Sequence, residues 1–275
     1  MKSNEFPGGS TAAKTSIKTS FIKVGISKFA SMKTFSIVLL AYLILGYSIH
    51  AHGQKTNYDK VTDISARQFL DLTNNREGIV LDVRTPAETA QGHIEGASFI
   101  DFYDEGFEQK MDLIQKDKPI YIYCRSGGRS AKAAEIMLRQ GFIEIYNLDG
   151  GILAWEEAGY QIVISEDKID KNIKELTVDD FNKLLATEQP MLVDFHTVWC
   201  APCKKMAPIV DDLQKDFEGR AIVLRVDADK SKALARKYNI QGVPVFLVFK
   251  NGVELWRGTG LMDESTLRKA ITTAF

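Results

Sequence analysis

The sequence predicts an α/β protein built from two domains in tandem. Apolar, β-branched runs alternate along the chain with segments of helical periodicity, the pattern of sheets flanked by helices. The chain has 275 residues, 45% of them apolar and 26% charged, and such a length corresponds to about two domains. Beyond residue 54, the short polar stretch Ser165–Asn172 divides the chain into halves of similar size. This composition predicts a linker, which we place at residues 165–174.

Charge and cysteine content exclude several classes of protein. The chain carries 35 basic and 36 acidic residues, a balance that gives no reason to expect nucleic acid or an anionic membrane as partner. All three cysteines lie within Cys124–Ser130 and Trp199–Lys204, so none remains to form a structural disulfide that would stabilise the fold. The four histidines are scattered, and no second cysteine pair stands at zinc spacing. We therefore expect no metal and no cofactor.

Residues 1–54 predict a targeting segment. Six lysines and one acidic residue fall within residues 1–34, and an apolar run from Phe35 to Ile49 follows. This run is short for a bilayer-spanning helix and typical of the core of a signal peptide. Ala51 and Gly53 supply small residues for cleavage. We expect export to a bacterial periplasm, with an uncleaved anchor facing the periplasm as the alternative; a translation start at Met32 would give a signal of conventional length.

The first half, residues 55–164, places a cysteine between a strand and a helix. Ile79–Val83 and Ile120–Tyr123 are apolar runs typical of buried strands, and Ser130–Gln140 has helical periodicity. Cys124 follows directly on the second of these strands. In a strand–loop–helix turn, successive backbone N–H groups point inward and the helix N-terminus adds positive potential. Such a cradle lowers the pKa of a thiol and stabilises an anion carried on its sulfur.

Together with other motifs, this loop resembles the rhodanese, or sulfurtransferase, family. The matching segments lie between about residues 58 and 163 and are Leu81–Arg84, Glu88, Gly92–Ile94, Gly96–Ala97, Cys124–Ser130 and Asn147–Trp155. The resemblance implies a parallel sheet flanked by helices. It also implies that Cys124 is a nucleophile that takes a sulfane sulfur from thiosulfate or a persulfide donor and becomes a persulfide.

The same resemblance assigns roles to the residues around the cysteine. Arg125 would attract an anionic donor and Arg129 would fix the loop, while the backbone of the whole loop forms the cradle: Arg125, Ser126, Gly127, Gly128, Arg129 and Ser130. A hydrogen-bonded frame behind the site is expected from Asp82, Arg84, Glu88 and His93. A cysteine phosphatase is the competing interpretation. It is disfavoured because four residues separate Cys124 from Arg129, where the phosphatase pattern has five.

The second half, residues 175–275, predicts another α/β domain with a cysteine pair. Its predicted strands are Met191–Phe195, Ala221–Val226 and Val245–Phe249, with a hairpin turn at Asn251–Gly252 leading into Val253–Arg257. Cys200 and Cys203 open the helix after the first of these strands. We expect Cys200 to be exposed and thiolate-prone, and Cys203 to attack a mixed disulfide formed there. By itself, a C-x-x-C motif is also compatible with half of a metal site.

The second half resembles thioredoxin along its whole length. The matching segments are Val193–Phe195, Trp199–Lys204, Pro208, Val226–Asp229, Tyr238–Ile240, Val243–Pro244, Phe249–Gly252 and Gly258–Gly260. The resemblance implies a central mixed sheet flanked by helices, and a cis proline at Pro244 beside the cysteines. With Val243 and Trp199, this proline would shape a groove for the substrate chain. Asp194 matches the family's buried carboxylate, which assists proton movement at the resolving cysteine.

Two positions depart from the thioredoxin pattern. Ala201 stands where glycine is most familiar, but Ala-Pro between the cysteines still resembles the reducing branch of the family more than the oxidising one. His196 stands in the segment before Trp199, where the family often has aromatic and acidic residues. We interpret it as an exposed loop histidine, with a role in tuning the cysteine site as the alternative.

The sequence therefore predicts an exported protein-disulfide reductase that also carries a sulfurtransferase domain. One alternative makes sulfur transfer the principal reaction, with the second half as its reductant. Another makes the first half a non-catalytic binding module. The expected partners are client proteins with disulfides, a thiosulfate or persulfide donor, and a membrane-delivered electron donor. That donor would reduce Cys200–Cys203 directly, because the sequence has no further cysteine pair to relay electrons.

Overall fold

The computed structural model describes residues 61–74, 78–164 and 175–275. The predicted targeting segment, residues 1–54, and the predicted linker, residues 165–174, lie outside the described residues. The described residues of both halves belong to one compact unit. In the part of the chain that the structure describes, no helix combines the length and the apolar character needed to cross a bilayer.

Within the described part of the first half, five strands form a parallel sheet in the order β1-β5-β4-β2-β3. The strands are β1 (Val61–Ile64), β2 (Ile79–Asp82), β3 (Ser98–Phe99), β4 (Ile120–Tyr123) and β5 (Ile145–Leu148). The helices are α1 (Ala66–Thr73), α2 (Pro86–Thr89), α3 (Phe107–Met111), α4 (Gly128–Arg139) and α5 (Gly151–Glu157). The predicted α/β class is confirmed.

The central strand β4 positions the first cysteine. All four of its residues are buried, as expected for an apolar run with a helix-covered sheet face on each side. Its carboxyl end meets that of β2, because the two strands run parallel with Tyr123 opposite Asp82. Cys124 follows at this edge, and α4 begins at Gly128, two residues before the predicted start.

Within residues 175–275, four strands form a mixed sheet in the order β7-β6-β8-β9. The strands are β6 (Met191–His196), β7 (Ile222–Asp227), β8 (Val245–Lys250) and β9 (Val253–Thr259). The helices are α6 (Val178–Leu185), α7 (Ala201–Asp216), α8 (Lys232–Lys237) and α9 (Glu264–Thr272). Strand β6 is parallel to β7 and antiparallel to β8. The predicted hairpin turn joins β8 to β9, with φ of 49° at Asn251 and 76° at Gly252.

The two halves share an apolar core. Buried side chains that follow α3 in the first half, Leu113 and Ile114, belong to the same packed cluster as Trp199 and Val243 of the second. A continuous core of this kind removes apolar surface of both halves from water. The halves are therefore packed against each other.

Candidate active site

Cys124 lies in a closed loop between β4 and α4. The cysteine is 1% exposed, and Gly127 takes a left-handed conformation, with φ of 92°, so that the chain can turn into α4. The N-terminus of α5 closes the loop from the other side. Ile152 donates its N–H to the carbonyl of Cys124 at 2.9 Å, and Leu153 donates to that of Arg125 at 3.2 Å. The loop is thus held by helices on both flanks.

Hydrogen bonds to the sulfur favour the thiolate of Cys124. Burial alone raises the pKa of this thiol, but the hydroxyl of Ser130 and the backbone N–H groups of Ser130, Ser126 and Gly127 all lower it. The balance leaves the pKa below its ordinary value. The Ser130 hydroxyl lies 3.4 Å from the sulfur and 3.0 Å from the carbonyl oxygen of Gly127, so the two acceptors share its single hydrogen. The loop therefore stabilises negative charge at the sulfur, as a nucleophile requires.

Arg129 ties the loop to the preceding segment of the chain. Its two terminal nitrogens donate to the two carboxylate oxygens of Glu88 at 2.8 and 2.6 Å. Glu88 also accepts from the N–H and hydroxyl of Thr85, at 3.1 and 3.0 Å. Hydrogen bonding to Arg129 is the largest cause that lowers the pKa of Glu88, to about 2. The pair is a charged, bidentate brace across one side of the cradle.

The remaining first-half residues divide between the mouth of the loop and its frame. Arg125, Ser126 and Gly128 are exposed, so the Arg125 side chain is accessible to an anion from solvent. Asp82 and Arg84 form a buried ion pair at 2.7 Å, and Arg84 also donates to the carbonyl of Gly92 at 2.7 Å. This pair connects the end of β2 to the segment after α2.

Cys200 and Cys203 form a disulfide at the N-terminus of α7. Cys200 is the N-cap, and its sulfur accepts the N–H of Cys203 at 3.1 Å. The sulfur of Cys200 lies 3.8 Å from the carbonyl oxygen of Val243, and the Val243–Pro244 peptide bond is cis. The structure therefore brings together the cysteine pair and the predicted groove residues. The positive end of the helix dipole favours a thiolate at Cys200 once the pair is reduced.

The expectation that Cys200 is exposed is wrong, because the residue is 3% exposed. Backbone groups on both sides of it pair with strand β3 of the first half. Phe99 donates its N–H to the carbonyl of Trp199 at 3.1 Å, and Ala201 donates its N–H to the hydroxyl of Ser98 at 3.0 Å. The sequence of the second half alone contains no signal for this contact.

Asp194 is a buried carboxyl two residues before the end of β6. Burial raises its pKa to about 7, against the opposing effect of Arg225. Arg225 stands directly opposite on β7 and donates to one carboxylate oxygen at 3.2 Å. The other oxygen has no hydrogen-bond partner among the described residues. A carboxyl that titrates near neutral pH can exchange protons with a reacting thiol. Arg225 was not among the predicted site residues, because its position opposite Asp194 depends on the register between two strands.

The prediction that His196 lies in an exposed loop is wrong, because this residue ends the buried strand β6. The residue is 8% exposed, and burial lowers the pKa of its imidazole to about 4. The imidazole is therefore neutral at pH 7 and gives the site no charge. Among the described residues, no group of three or more histidine, cysteine, aspartate and glutamate side chains is gathered as metal ligands would be.

Comparison with known proteins relates each half to a different family. Residues 172–273 match the thioredoxin family, and residues 65–158 match the rhodanese-like domain family. Thioredoxin 1 of Chlorobaculum tepidum is 35% identical over 98 residues, which cover 36% of this chain and 95% of that protein. Chloroplastic thioredoxin M-type of Spinacia oleracea is 39% identical over 88 residues, which cover 32% of this chain. The match spans about half, 49%, of the spinach protein. A solved structure of Fasciola hepatica thioredoxin is 33% identical and covers 38% of this chain and 100% of its own, with a TM-score of 0.35.

Proposed function

Since the chain belongs to the thioredoxin family and carries a rhodanese-like domain ahead of its thioredoxin domain, we propose that it is an exported protein-disulfide reductase with an attached sulfurtransferase. The observation that carries the proposal is the geometry of Cys200 and Cys203. The pair lies at a helix N-terminus beside a cis proline. A buried carboxyl whose pKa is about 7 lies on the preceding strand.

Reduction of a client follows from this arrangement in two thiol–disulfide exchanges. The thiolate of reduced Cys200 attacks one sulfur of a client disulfide, forms a mixed disulfide and releases the other client sulfur as a thiolate. Cys203 then loses its proton, which the Asp194 carboxylate accepts, and attacks the sulfur of Cys200. The second client thiolate leaves, and the Cys200–Cys203 disulfide forms. Two electrons pass from the pair to the client.

Sulfur transfer uses the cradle of the first half. The thiolate of Cys124 attacks the sulfane sulfur of thiosulfate, the sulfur–sulfur bond breaks, and sulfite leaves with the electron pair. Cys124 then carries a persulfide, whose charge the loop N–H groups stabilise. A nucleophilic acceptor takes the outer sulfur and regenerates the thiolate. Exposed Arg125 attracts the anionic donor to the mouth of the loop.

Export is the part of the proposal that rests on sequence alone. The lysine-bearing segment and the apolar run of residues 35–49 support it. In an oxidising compartment, a reductase needs an outside source of electrons. We therefore propose a membrane-delivered dithiol donor that reduces the Cys200–Cys203 disulfide directly.

A second candidate function makes the second half the reductant of the first. It is favoured by the apolar core that the halves share, of which both Cys124 and Cys200 are members. Here Cys200 takes the outer sulfur of the Cys124 persulfide. Cys203 then attacks Cys200 and releases hydrosulfide as the disulfide forms. The persulfide sulfur is reduced, and the dithiol is oxidised.

Two assays on two variants test these assignments. We expect Cys200→Ser to abolish the reduction of insulin disulfides while retaining sulfur transfer from thiosulfate to cyanide. Cys124→Ser should give the opposite pattern. Insulin reduction that survives Cys200→Ser, or sulfur transfer that survives Cys124→Ser, would refute the corresponding site. Absence of sulfur transfer in the wild-type chain would instead favour a first half that acts as a binding module.

A further inference from the structure

The groove beside Cys200 is occupied by the chain itself. Three hydrogen bonds join the two halves around this cysteine, and they involve the residues immediately before and after it as well as Val243. Val243 donates its N–H to the carbonyl of Leu113 at 3.0 Å. The other two bonds are those of Phe99 with Trp199 and of Ser98 with Ala201.

The donors and acceptors in this contact are the ones that an incoming chain would use. The carbonyl of Val243 faces the sulfur of Cys200, 3.8 Å away. The N–H of the same residue is therefore well placed to bind the backbone of a chain whose disulfide approaches that sulfur. Main-chain pairing of this kind is independent of sequence and suits the recognition of many clients. In the structure, the turn after α3 makes this bond in place of a client.

The fit along this turn is close. A Cβ atom at Gly242, where φ is 118°, would lie 2.6 Å from Cγ of Gln115 and 3.0 Å from its Cα. The turn therefore approaches the backbone beside the cis proline more closely than any side chain there would permit. On the other side of Cys200, Lys204 lies over the ring of Phe99 at 5.3 Å.

Charge complementarity supports the same contact at its edge. Lys110 of α3 lies 2.7 Å from Asp104 of its own half and 3.8 Å from Asp229 of the second half. Asp229 in turn accepts the indole N–H of Trp199 at 3.3 Å. The side chains of Lys110 and Asp229 are 19% and 20% exposed, so solvent screens this pair only in part.

We propose that the first half is an intramolecular ligand of the client groove and keeps the chain closed until the halves separate. In the closed form, Ser98, Phe99 and Leu113 hold the positions that a client chain needs. A client therefore competes with the first half for Cys200. The observed affinity for the client equals the affinity of the open form multiplied by the fraction of chains that are open. This inference rests on the proposed reductase function, because the groove that the first half occupies is the one that would bind the client of the reductase.

The rate of alkylation of Cys200 tests the closed form in the full chain. After reduction with dithiothreitol and its removal, the protein is treated with iodoacetamide, and peptide mapping follows Cys200 and Cys124 separately. Ser98→Ala removes the acceptor for the Ala201 N–H, and Lys110→Glu places a negative charge beside Asp229. We expect each to accelerate labelling of Cys200 roughly threefold to tenfold, the effect of losing one such interaction. Labelling of Cys124 should be unchanged.

The matched control is Lys132→Glu, the same charge change at an exposed position of α4. In this variant we expect iodoacetamide to label Cys200 at the wild-type rate. Equal Cys200 rates in the wild type and both interface variants would overturn the proposal. Hydrogen exchange of the unaltered chain provides a measurement that needs no variant. The amides of Val243 and Phe99, both donated across the contact, should be protected from exchange, and unprotected amides would also overturn it.

These outcomes are separate from those of the reductase proposal. Faster labelling of Cys200 in the interface variants, together with no reduction of insulin by any form, would keep the closed form and refute the reductase. Reduction of insulin at one rate by the wild type and both interface variants, with equal Cys200 labelling, would keep the reductase and refute the closed form.

Discussion

At the scale of single residues, environment rather than identity decides the chemistry of this protein. Cys124 is buried, yet the pKa of its thiol is lowered because four hydrogen bonds from the loop outweigh the cost of burial. The pKa of Asp194 is raised to about 7 because a single arginine does not offset its burial. Both shifts move the titration of the group toward neutral pH, where it can serve catalysis.

The Asp194 carboxyl makes stability depend on pH. The fold raises its pKa from 3.8 to about 7, so the folded chain holds this proton more tightly than the unfolded chain does. The resulting stability is complete below about pH 4 and is lost as pH rises through 7. We expect Asp194→Asn to raise the free energy of unfolding at pH 8 by roughly 2–4 kcal/mol. At pH 4 its effect should be small.

Urea unfolding of the oxidised chain at the two pH values measures this difference. Asp212→Asn, at an exposed position of α7, is the control and should change stability little at either pH. An equal effect of Asp194→Asn at pH 4 and pH 8 would contradict the raised pKa. The same variant should reduce insulin at least tenfold more slowly, because proton transfer at Cys203 is lost.

Ser130 supplies the side-chain hydrogen bond to the Cys124 sulfur. We expect Ser130→Ala to move the pH dependence of Cys124 alkylation to higher pH and to slow alkylation at pH 7 about fivefold, as the loss of one such bond predicts. Ser126→Ala is the matched control, since Ser126 acts on the sulfur through its backbone N–H, which alanine retains. Identical pH profiles for Ser130→Ala and the wild type would contradict this role of the hydroxyl.

At the scale of elements, the sulfur cradle depends on how closely α5 packs against the loop. A Cβ atom at Gly151, where φ is 61°, would lie 2.6 Å from the carbonyl oxygen of Cys124. Gly159 also has positive φ, 78°, but nothing lies within 4 Å of its Cβ position. Alanine substitutions at these two glycines therefore separate the free-energy cost of a positive φ from the cost of displacing the loop.

We expect Gly159→Ala to destabilise the chain by about 1 kcal/mol and to retain sulfur transfer. Gly151→Ala should cost about 2–4 kcal/mol, because overpacking adds to the same conformational cost. It should also lose most of its thiosulfate:cyanide activity. Thermal unfolding and the transfer assay measure both effects. Equal loss of stability and equal transfer activity in the two variants would show that the contact of Gly151 with the loop has no role in the cradle.

The elements were the most predictable part of this fold. Predicted strands such as Ile120–Tyr123 match the structure because a short, unbroken run of β-branched and aromatic residues favours a strand that is buried on both faces of the sheet. The helix after Cys124 was predicted within two residues of its start, since apolar periodicity is a local property. The position of Arg225 opposite Asp194 was missed because strand register depends on residues about 30 positions apart.

At the scale of the whole molecule, the contact between the halves could not be predicted from either motif. Its hydrogen bonds join groups 100 or more residues apart in the chain, such as the backbone N–H of Ala201 and the side-chain hydroxyl of Ser98. Each half has the local sequence pattern of a complete domain, so neither pattern predicts that the two halves pack against each other. This contact covers the backbone on both sides of Cys200, which is buried. An expectation of exposure was therefore wrong, although the cysteine pair itself was identified.

Covalent connection of the two halves allows a test of whether their sulfurs react together. If Cys200 takes the persulfide sulfur, the reduced wild-type chain loaded with one equivalent of thiosulfate should release sulfide at least tenfold faster than Cys200→Ser. A tether raises the effective concentration of one site at the other to the order of millimolar. A single-turnover sulfide assay measures the two rates. Equal rates would remove the coupling and leave both domain assignments intact.

The reductase assignment is tested most directly by trapping its covalent intermediate. Reduced Cys203→Ser chain, mixed with a client peptide that contains a disulfide, should form a stable mixed disulfide, because the residue that resolves it is gone. Mass spectrometry of the digested adduct should place the client on Cys200. An adduct on Cys124, or no adduct at Cys200 under conditions where the wild-type chain reduces the same peptide, would contradict the account.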